Sequence, residues 1–288
     1  MTARRSAIVG TGRVAQAAGR LLADAGMPPV AVAGRSQAHA ERAAAFISSA
    51  VQAIPIAAVP SLADHVLIAV SDDAIASVAG KLARGGMSAG VALHTSGAHG
   101  PALLGALAAR GVSCGVLHPL QTVAEPALGV AALRGASFAV GGDAAALAWA
   151  EQIVAAVHGT PLRIQATGFA SYHAGAVMAS NAVVAAIDAA VVLLGAAGVD
   201  KHAALRAIRP LCLTSAQNAL DIGPEAALTG PVQRGDAETI RAHTTALATC
   251  PRYVADLYRA SGHALLDIAR RRGLSEGSAR AVEHALEG

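Results

Sequence analysis

The chain has 288 residues, 54% of them hydrophobic and only 2% aromatic, with a formal net charge of +3 and a pI near 9.0. Alanine is the commonest apolar residue, which favours closely packed helices over aromatic-rich sandwiches. Because the positive charge is mild and scattered along the chain, the composition excludes a protein that binds nucleic acid through a basic stripe.

Cysteine usage and hydropathy place the chain among soluble proteins of a reducing compartment. Cys114, Cys212 and Cys250 are dispersed, without metal-ligand spacing, so we expect a cytoplasmic protein with no disulfide framework and no metal. The first apolar run is interrupted at once by glycines, so it matches a signal peptide poorly. The apolar stretch 182–198 carries Asp188 and predicts a buried helix, so no membrane partner is expected.

The first 165 residues alternate short apolar strands with helices. Strands are predicted at SAIVG, PVAVAGRS, HVLIAV, GVALHTSG, SCGVLHP, ASFAVGG and TPLRI. Helices of 10 to 15 residues lie between most of them, and Asp72 or Asp73 is expected to cap one of these helices. Such alternation predicts an α/β doubly wound parallel sheet, with helices on both faces.

The alternation stops near residue 165, and every later long segment reads as a helix. Helices are predicted at about 170–197, 201–220, 236–248 and 251–272, followed by a short tail helix. The first of these is apolar on nearly all sides, as expected of a helix buried by other helices or by a second copy of the chain. We therefore expect an α/β domain over residues 1–165 and an all-α domain over residues 166–288, assembled as a homodimer.

The stretch AIVGTGRVAQAAG joins the first strand to the first helix and carries Gly10-x-Gly12-x-x-Ala15. Gly10 allows a tight turn, and Gly12 lets the backbone approach a pyrophosphate that faces the helix N-terminus. In a βαβ unit of this length the pattern indicates a dinucleotide-binding site.

The end of the second strand indicates which dinucleotide binds. NAD sites place an acidic residue there to bind the ribose hydroxyls, whereas this chain has Gly34-Arg35-Ser36. Arginine offers a planar fork of donors to a 2′-phosphate, so the sequence favours NADP(H). The residues expected to bind it are Gly10, Thr11, Gly12, Arg13, Val14, Arg35, Ser36, Val70, Ser71 and Thr95.

Two loops after later strands, LHTSGAHG and VLHPLQT, concentrate side chains that can exchange protons near neutral pH. His118 is favoured as a catalytic residue because Pro119 holds its backbone extended at the strand end. Ser96 and Gln121 are further candidates, Gln121 for binding substrate. His94 is either functional or a satisfied strand-end histidine, and His99 reads as exposed loop.

The helical half contributes polar residues to an otherwise apolar helix. Tyr172, His173 and Asn181 lie on the first long helix, and His173 and Asn181 differ by about 80° around its axis. Such residues need polar partners or a ligand. Further on, LTGPVQRGD is a turn in which Asp236 can cap the next helix, and Arg234 is a candidate for binding a substrate carboxylate or the cofactor, or for a structural salt bridge.

The motifs GTGRVAQ, GRS, HTSGA, LHPLQT, YHAGAVMASN and LTGPVQRGD, in this order, resemble a bacterial family that pairs a Rossmann-like NADP-binding domain with a C-terminal domain of unknown function. The family is similar in layout to pyrroline-5-carboxylate reductase, ketopantoate reductase and the β-hydroxyacid dehydrogenases. The resemblance implies a C-terminal domain like that of 6-phosphogluconate dehydrogenase, which forms a dimer interface and closes the active-site cleft.

One departure limits what the resemblance implies. β-Hydroxyacid dehydrogenases and ketopantoate reductases carry an acid–base lysine one helical turn before the helix asparagine. If Asn181 matches that asparagine, the lysine position holds Val177. Ser96 and His118-Pro119 are spaced similarly to a serine and a His-Pro pair in prephenate dehydrogenases. This second resemblance implies instead that the histidine accepts the proton of the substrate hydroxyl.

The sequence thus predicts an NADPH-dependent oxidoreductase acting on a small carbonyl, hydroxy or imine substrate. His118 would donate the proton, assisted by Ser96, His173 and Asn181. Two alternatives stay open: an imine reductase of the pyrroline-5-carboxylate type, whose iminium substrate arrives protonated, and a non-catalytic NADP-binding regulator.

Overall fold

A computed structural model describes residues 5–288 and gives a sheet-containing first half and a helical second half. In this part of the chain the strands are β1 Ser6–Val9, β2 Ala31–Ala33, β3 Gln52–Ile54, β4 His65–Ile68, β5 Val91–His94, β6 Ser113–Pro119, β7 Ser137–Gly142 and β8 Thr160–Arg163. The helices among them are α1 Arg13–Asp24, α2 Gln37–Ile47, α3 Val59–Leu62, α4 Asp72–Arg84, α5 Gly105–Ala108, α6 Pro126–Leu133 and α7 Ala144–Ala156.

The strands form one sheet in the order β3-β2-β1-β4-β5-β6-β7-β8. Every neighbouring pair is parallel except β6 and β7, which are antiparallel. The predicted Rossmann-like sheet is therefore confirmed, with one antiparallel pair that the alternation of strands and helices did not reveal. Strands β1, β4, β5 and β6 all run in the same direction, so the loops that follow them lie along the same edge.

Apolar side chains cover both faces of the sheet. One layer packs Leu21 of α1, Ile47 of α2 and Trp149 of α7 against the strands. The other packs Ile75 and Leu82 of α4 against the opposite face. Helices on both faces explain why β1, β4 and β5 are nearly continuous runs of buried apolar residues.

Helix caps differ in part from expectation. Helix α4 begins after Ser71, which is the N-cap but makes no side-chain capping bond, so the predicted cap by Asp72 or Asp73 is wrong. Both acids lie instead in the first turn, where a negative charge is favourable to the helix dipole. Asp236 is confirmed as a cap, because its carboxylate accepts from the Thr239 backbone N–H at 3.1 Å.

The second half contains α8 Phe169–Ala196, α9 Lys201–Ile222, α10 Pro224–Ala227, α11 Pro231–Arg234, α12 Ala237–Leu247, α13 Arg252–Arg271 and α14 Glu276–Glu287. The chain separates into two compact units, the first ending at Ser180 and the second spanning Asn181–Gly288. The boundary lies inside α8 rather than near residue 165, because the first turns of this helix pack on the sheet. In the second unit α12, α13 and α14 enclose Ile240, Leu266 and Leu286.

Other helices of the same chain bury little of helix α8, which leaves burial by a second copy of the chain as a prediction. Its most apolar 18-residue window has a mean hydropathy of 2.1, yet only 6% of that window is buried. By length and composition the helix could cross a membrane. Within the chain it is packed at its two ends, by Phe169 in the first unit and by Ala189 in the second.

Candidate nucleotide cavity and catalytic corner

The turn between β1 and α1 is fixed by the glycine at position 10. Gly10 has a φ of +141°, and a side chain there would collide with the Ala69 carbonyl. Its backbone N–H donates to the Ala33 carbonyl at 2.8 Å, which ties the turn to the end of β2. A residue with a side chain would disrupt this turn, so glycine is required here.

The start of α1 is open and uncapped. Gly12 is the N-cap, so it offers no side-chain acceptor, and the first turn contains no acidic residue. A Cβ added to Gly12 would meet nothing within 4 Å. The first backbone N–H groups of the helix are thus left for an anion, as at other phosphate-binding helix N-termini.

A cavity of about 590 Å³ lies over this turn. Its lining includes nine of the ten residues predicted to bind the cofactor: Gly10, Thr11, Gly12, Arg13, Val14, Arg35, Val70, Ser71 and Thr95. The tenth, Ser36, caps α2 by accepting from the His39 backbone N–H and does not line the cavity. The cavity therefore extends from the end of β2, across β1 and β4, to the end of β5.

Arg35 supplies the positive charge at the β2 end of this cavity. Its side chain is exposed, and within residues 5–288 no hydrogen bond or ion pair engages its guanidinium. No carboxylate borders the cavity at that end. These donors and the uncapped helix suit a dinucleotide with a 2′-phosphate, so the residues present fit NADP(H).

A second group of polar side chains lies where β5 and β6 end. Nδ1 of His118 is 2.9 Å from the hydroxyl of Tyr172, on the first turn of α8. The ring of His173 packs edge-on against that of His118, with centroids 5.9 Å apart. A Cβ added to Gly97 would lie 2.7 Å from Nε2 of His118 and 2.8 Å from Cδ2 of His173. Glycine is needed at position 97 because both rings approach its backbone.

We call His118, Tyr172, His173 and Gly97 the catalytic corner. Burial, assisted by the neighbouring His173, lowers the pKa of His118 to about 4. Burial also raises the pKa of Tyr172 to about 12. Both groups are therefore neutral at pH 7, which corrects the expectation that His118 would titrate near its ordinary value.

Ser96 does not contact His118. Its side chain is 2% exposed, and its hydroxyl donates to Oδ2 of Asp72 at 2.8 Å. Oγ of Ser96 lies 2.9 Å from Nδ1 of His99. Since the single hydroxyl proton points to Asp72, the serine oxygen accepts from a protonated Nδ1 of His99.

His94 is a satisfied structural histidine. It is fully buried, its Nδ1 accepts from the Ser96 backbone N–H at 3.2 Å, and its Nε2 lies 3.0 Å from the Gly100 carbonyl. The first bond requires an unprotonated Nδ1, so Nε2 carries the proton and donates to Gly100. Burial lowers the pKa of His94 and keeps the ring neutral. It holds the Ser96–Gly100 loop in place.

The other predicted site residues lie elsewhere. Gln121 is exposed, and its Oε1 accepts from the Thr122 backbone N–H at 2.9 Å. Asn181 and Arg234 belong to the second unit, Arg234 at the exposed end of α11. Tyr172 and Asp72 were not among the predicted site residues, although Tyr172 directly precedes His173 in an apolar helix.

A further cavity of about 510 Å³ lies at the opposite end of β6. Its ionic side chains are already engaged: Asp143 accepts from the Cys114 and Ala146 backbone N–H groups, and Arg163 pairs with Glu151 at 2.6 Å. Burial raises the pKa of Cys114 to about 11, so its thiol is not a nucleophile. Within residues 5–288 no group of three or more ligating side chains could hold a metal ion.

Family models match both halves of the chain. Residues 2–119 match a Rossmann-like domain, and residues 136–265 match a domain of unknown function, DUF2520. No curated protein matches the sequence.

Solved structures share the fold over nearly the whole chain. A candidate NADP oxidoreductase from Bacteroides fragilis has a TM-score of 0.69 at 20% identity and covers 98% of each chain. A reductive aminase from Aspergillus terreus, in complex with NADPH and ethyl-5-oxohexanoate, has a TM-score of 0.60 at 19% identity, covering 99% of this chain and 93% of that one. A pyrroline carboxylate reductase from Plasmodium falciparum with NADP bound has a TM-score of 0.57 at 11% identity, covering 99% of each. At these identities the likeness shows the fold.

The environment of His118 predicts its titration. In the isolated protein the His118 ring should stay neutral from pH 8 down to about pH 5, because the charged form is poorly solvated beside His173. Ring ¹³C and ¹⁵N chemical shifts followed against pH would measure this, with His118→Gln identifying the resonance. A midpoint near 6.5 would contradict the buried geometry.

Proposed function

We propose that this chain, which joins a Rossmann-like domain to a DUF2520 domain, is an NADPH-dependent oxidoreductase of a small carbonyl or hydroxy substrate. One observation carries the proposal: a cavity suited to NADP(H) adjoins a corner of neutral proton-exchanging side chains. Asp72 lines the cavity and accepts a hydrogen bond from Ser96. Gly97, which follows Ser96 in the chain, lies against His118 and His173. The NADPH-containing neighbours support the same reaction class.

The cofactor would supply a hydride to the substrate carbon, which leaves negative charge on the substrate oxygen that a proton must neutralise. With a pKa of about 4, only roughly one His118 ring in a thousand is protonated at pH 7. The Tyr172 hydroxyl keeps its proton and lies 2.9 Å from His118. The pair would therefore act together, Tyr172 giving up the proton while Nδ1–H of His118 donates a hydrogen bond to the phenolate oxygen left behind.

Tyr172 then regains its proton without a charged ring. The phenolate oxygen takes the Nδ1 proton of His118 while Nε2 accepts a proton from solvent water, so the ring stays neutral in its other tautomer. Exchange of the ring protons with solvent then restores the Nδ1–H tautomer and the starting state. His173, whose ring packs against that of His118, would orient the substrate. Ser96 would act indirectly, through Asp72 and the Gly97 loop.

An imine reductase is the second candidate. Imine and pyrroline carboxylate reductases occur among the structural neighbours, and Val177 stands where a lysine would be expected. An iminium substrate brings its own proton, so the Tyr172–His118 pair would only orient it. A non-catalytic NADP-binding regulator would bind NADPH and turn over nothing. Assaying NADPH consumption against keto acids and cyclic imines, and NADP⁺ reduction with hydroxy acids, separates the three.

Arg35 should make the protein prefer NADPH over NADH. We expect a difference of about 1–3 kcal/mol, the scale of a charge-assisted bond pair to the 2′-phosphate. Calorimetric titration of both nucleotides measures it, and Arg35→Ala should abolish the difference. Arg42→Ala, on α2 but outside the cavity lining, is the matched control. Equal affinities in the wild type would contradict the assignment to NADP(H).

Removing either member of the proton pair should slow the reaction. With a carbonyl substrate we expect His118→Ala and Tyr172→Phe each to lower kcat by about 10²–10⁴-fold, with NADPH affinity unchanged. Steady-state rates and calorimetry measure the two effects separately. If Tyr172→Phe leaves kcat unchanged while His118→Ala lowers it, His118 is the proton donor itself. If neither variant changes kcat, the imine reaction is favoured. Loss of NADPH binding in His118→Ala would indicate that this histidine belongs to the cofactor site.

We also propose that a second copy of the chain covers α8 and α9. Met178 and Val184 of α8 are each 69% exposed, and Leu220 of α9 is 82% exposed, whereas monomeric proteins rarely expose large continuous apolar patches. A membrane is disfavoured because both ends of α8 are packed, one by Phe169 and the Tyr172–His118 bond, the other by Ala189. A two-fold dimer is the simplest closed arrangement.

Light scattering should report about 57 kDa, twice the chain mass of 28.5 kDa. Val184→Arg should shift this toward the monomer, since it places a charge in the apolar face. Leu128→Arg, a comparably exposed leucine on α6, should leave the mass unchanged. A wild-type monomer at micromolar concentration would refute the dimer, and co-sedimentation with lipid vesicles would favour a membrane instead.

A further inference from the structure

Asp72 is an acidic residue inside the nucleotide cavity. It is the first residue of α4, and it lines the cavity where β4 ends. Bound NADP(H) carries phosphates that a nearby carboxylate repels, so an acid here costs affinity unless it meets another part of the cofactor. A favourable interaction with the helix dipole does not by itself explain an acid at position 72. The adjacent Asp73 lies in the same first turn and already provides that interaction.

The carboxylate of Asp72 is held in a fixed position. Ser96, itself buried, donates to Oδ2 at 2.8 Å, and Nδ1 of His99 lies 3.4 Å from the same oxygen. Within residues 5–288 Oδ1 accepts no hydrogen bond. In the same part of the chain Asp73 makes no side-chain hydrogen bond or ion pair, and it does not line the cavity. Asp72 is thus anchored at one oxygen and available at the other.

The direction of the cavity decides which part of the cofactor reaches Asp72. Arg35 follows β2, whereas Asp72 follows β4 and Thr95 follows β5, and the strand order is β2-β1-β4-β5. A nucleotide with its 2′-phosphate at Arg35 and its pyrophosphate at the start of α1 would have its nicotinamide on the side of Asp72. The negative charge of Asp72 raises the pKa of both His118 and His94 against the effect of burial, as expected of a carboxylate near the catalytic corner.

We infer that Asp72 stabilises the positive charge of oxidised nicotinamide and so sets the relative affinity of the protein for NADP⁺ and NADPH. The inference rests on the proposed function, in that NADP(H) must bind. The ring of NADP⁺ is a cation and that of NADPH is neutral, whereas the phosphates are identical. Coulombic attraction to a fixed carboxylate therefore distinguishes the two forms, and removing the charge weakens binding of NADP⁺ relative to NADPH.

The test compares the dissociation constants of NADP⁺ and NADPH, measured by calorimetry at one pH and ionic strength, in the wild type, Asp72→Asn and Asp73→Asn. In Asp72→Asn the ratio Kd(NADP⁺)/Kd(NADPH) should rise about 5- to 30-fold, the range for charges several Å apart at a partly solvated site. In Asp73→Asn, which removes the same charge from the same helical turn, the ratio should stay within about twofold.

A second variant keeps the test decisive if Asp72→Asn misfolds, which circular dichroism would reveal. Ser96→Ala keeps the carboxylate but removes its anchor, and should raise the same ratio by about 2- to 5-fold. An unchanged ratio in both variants, or an equal rise in Asp73→Asn, would overturn the inference. Failure of the wild type to bind either nucleotide would instead overturn the proposed function, so the two failures are distinct.

Discussion

The parallel pairing of β1, β4, β5 and β6 is the constraint on which the candidate site depends. Register pairs Val9 with Ile68 and Ile68 with His94, so the strands end side by side. The loops after them are forced to the same edge of the sheet, although their residues are far apart in sequence. The glycine turn, the Asp72 turn, the Ser96–Gly100 loop and His118 come together for this reason alone.

Burial determines the protonation states in this corner. Several imidazoles share it with one carboxylate, and desolvation outweighs the attraction of Asp72, because the pKa values of His94 and His118 both fall. Each ring keeps its position through its uncharged hydrogen bonds, to Gly100 in one case and Tyr172 in the other. A neutral His118 ring can lie close to the ring of His173, where two imidazolium ions would repel each other.

Much of the fold and of the cofactor cavity could be predicted from the sequence, because both follow from local patterns. Buried parallel strands are short apolar runs, and the glycine turn has a local signature. Strand β3 was missed because it is short, lies at the sheet edge and exposes Gln52. Helix α6 was missed because Gly129 interrupts its pattern; the helix forms nonetheless because Pro126 starts it and Leu133 is buried.

The catalytic corner shows why the remaining features could not be predicted from the sequence. Tyr172 and His118 are 54 residues apart, and only the docking of the first turn of α8 on the sheet, through Phe169, brings them together. Gly97 looks like an ordinary loop glycine until the two rings are placed against it. The domain boundary is similarly hidden, because α8 is one continuous helix although its first turns pack with the sheet.

Position 177 holds valine rather than lysine, so under the proposed function the proton has to come from another group. A tyrosine partnered by a neutral histidine avoids any charge before the reaction. In the proposed reaction, negative charge would develop on Tyr172 only as the proton leaves, when Nδ1–H of His118, 2.9 Å away, could stabilise it. The proposed function thus uses, in place of a charged acid, a neutral pair whose hydrogen bond would become stronger at the step that requires it.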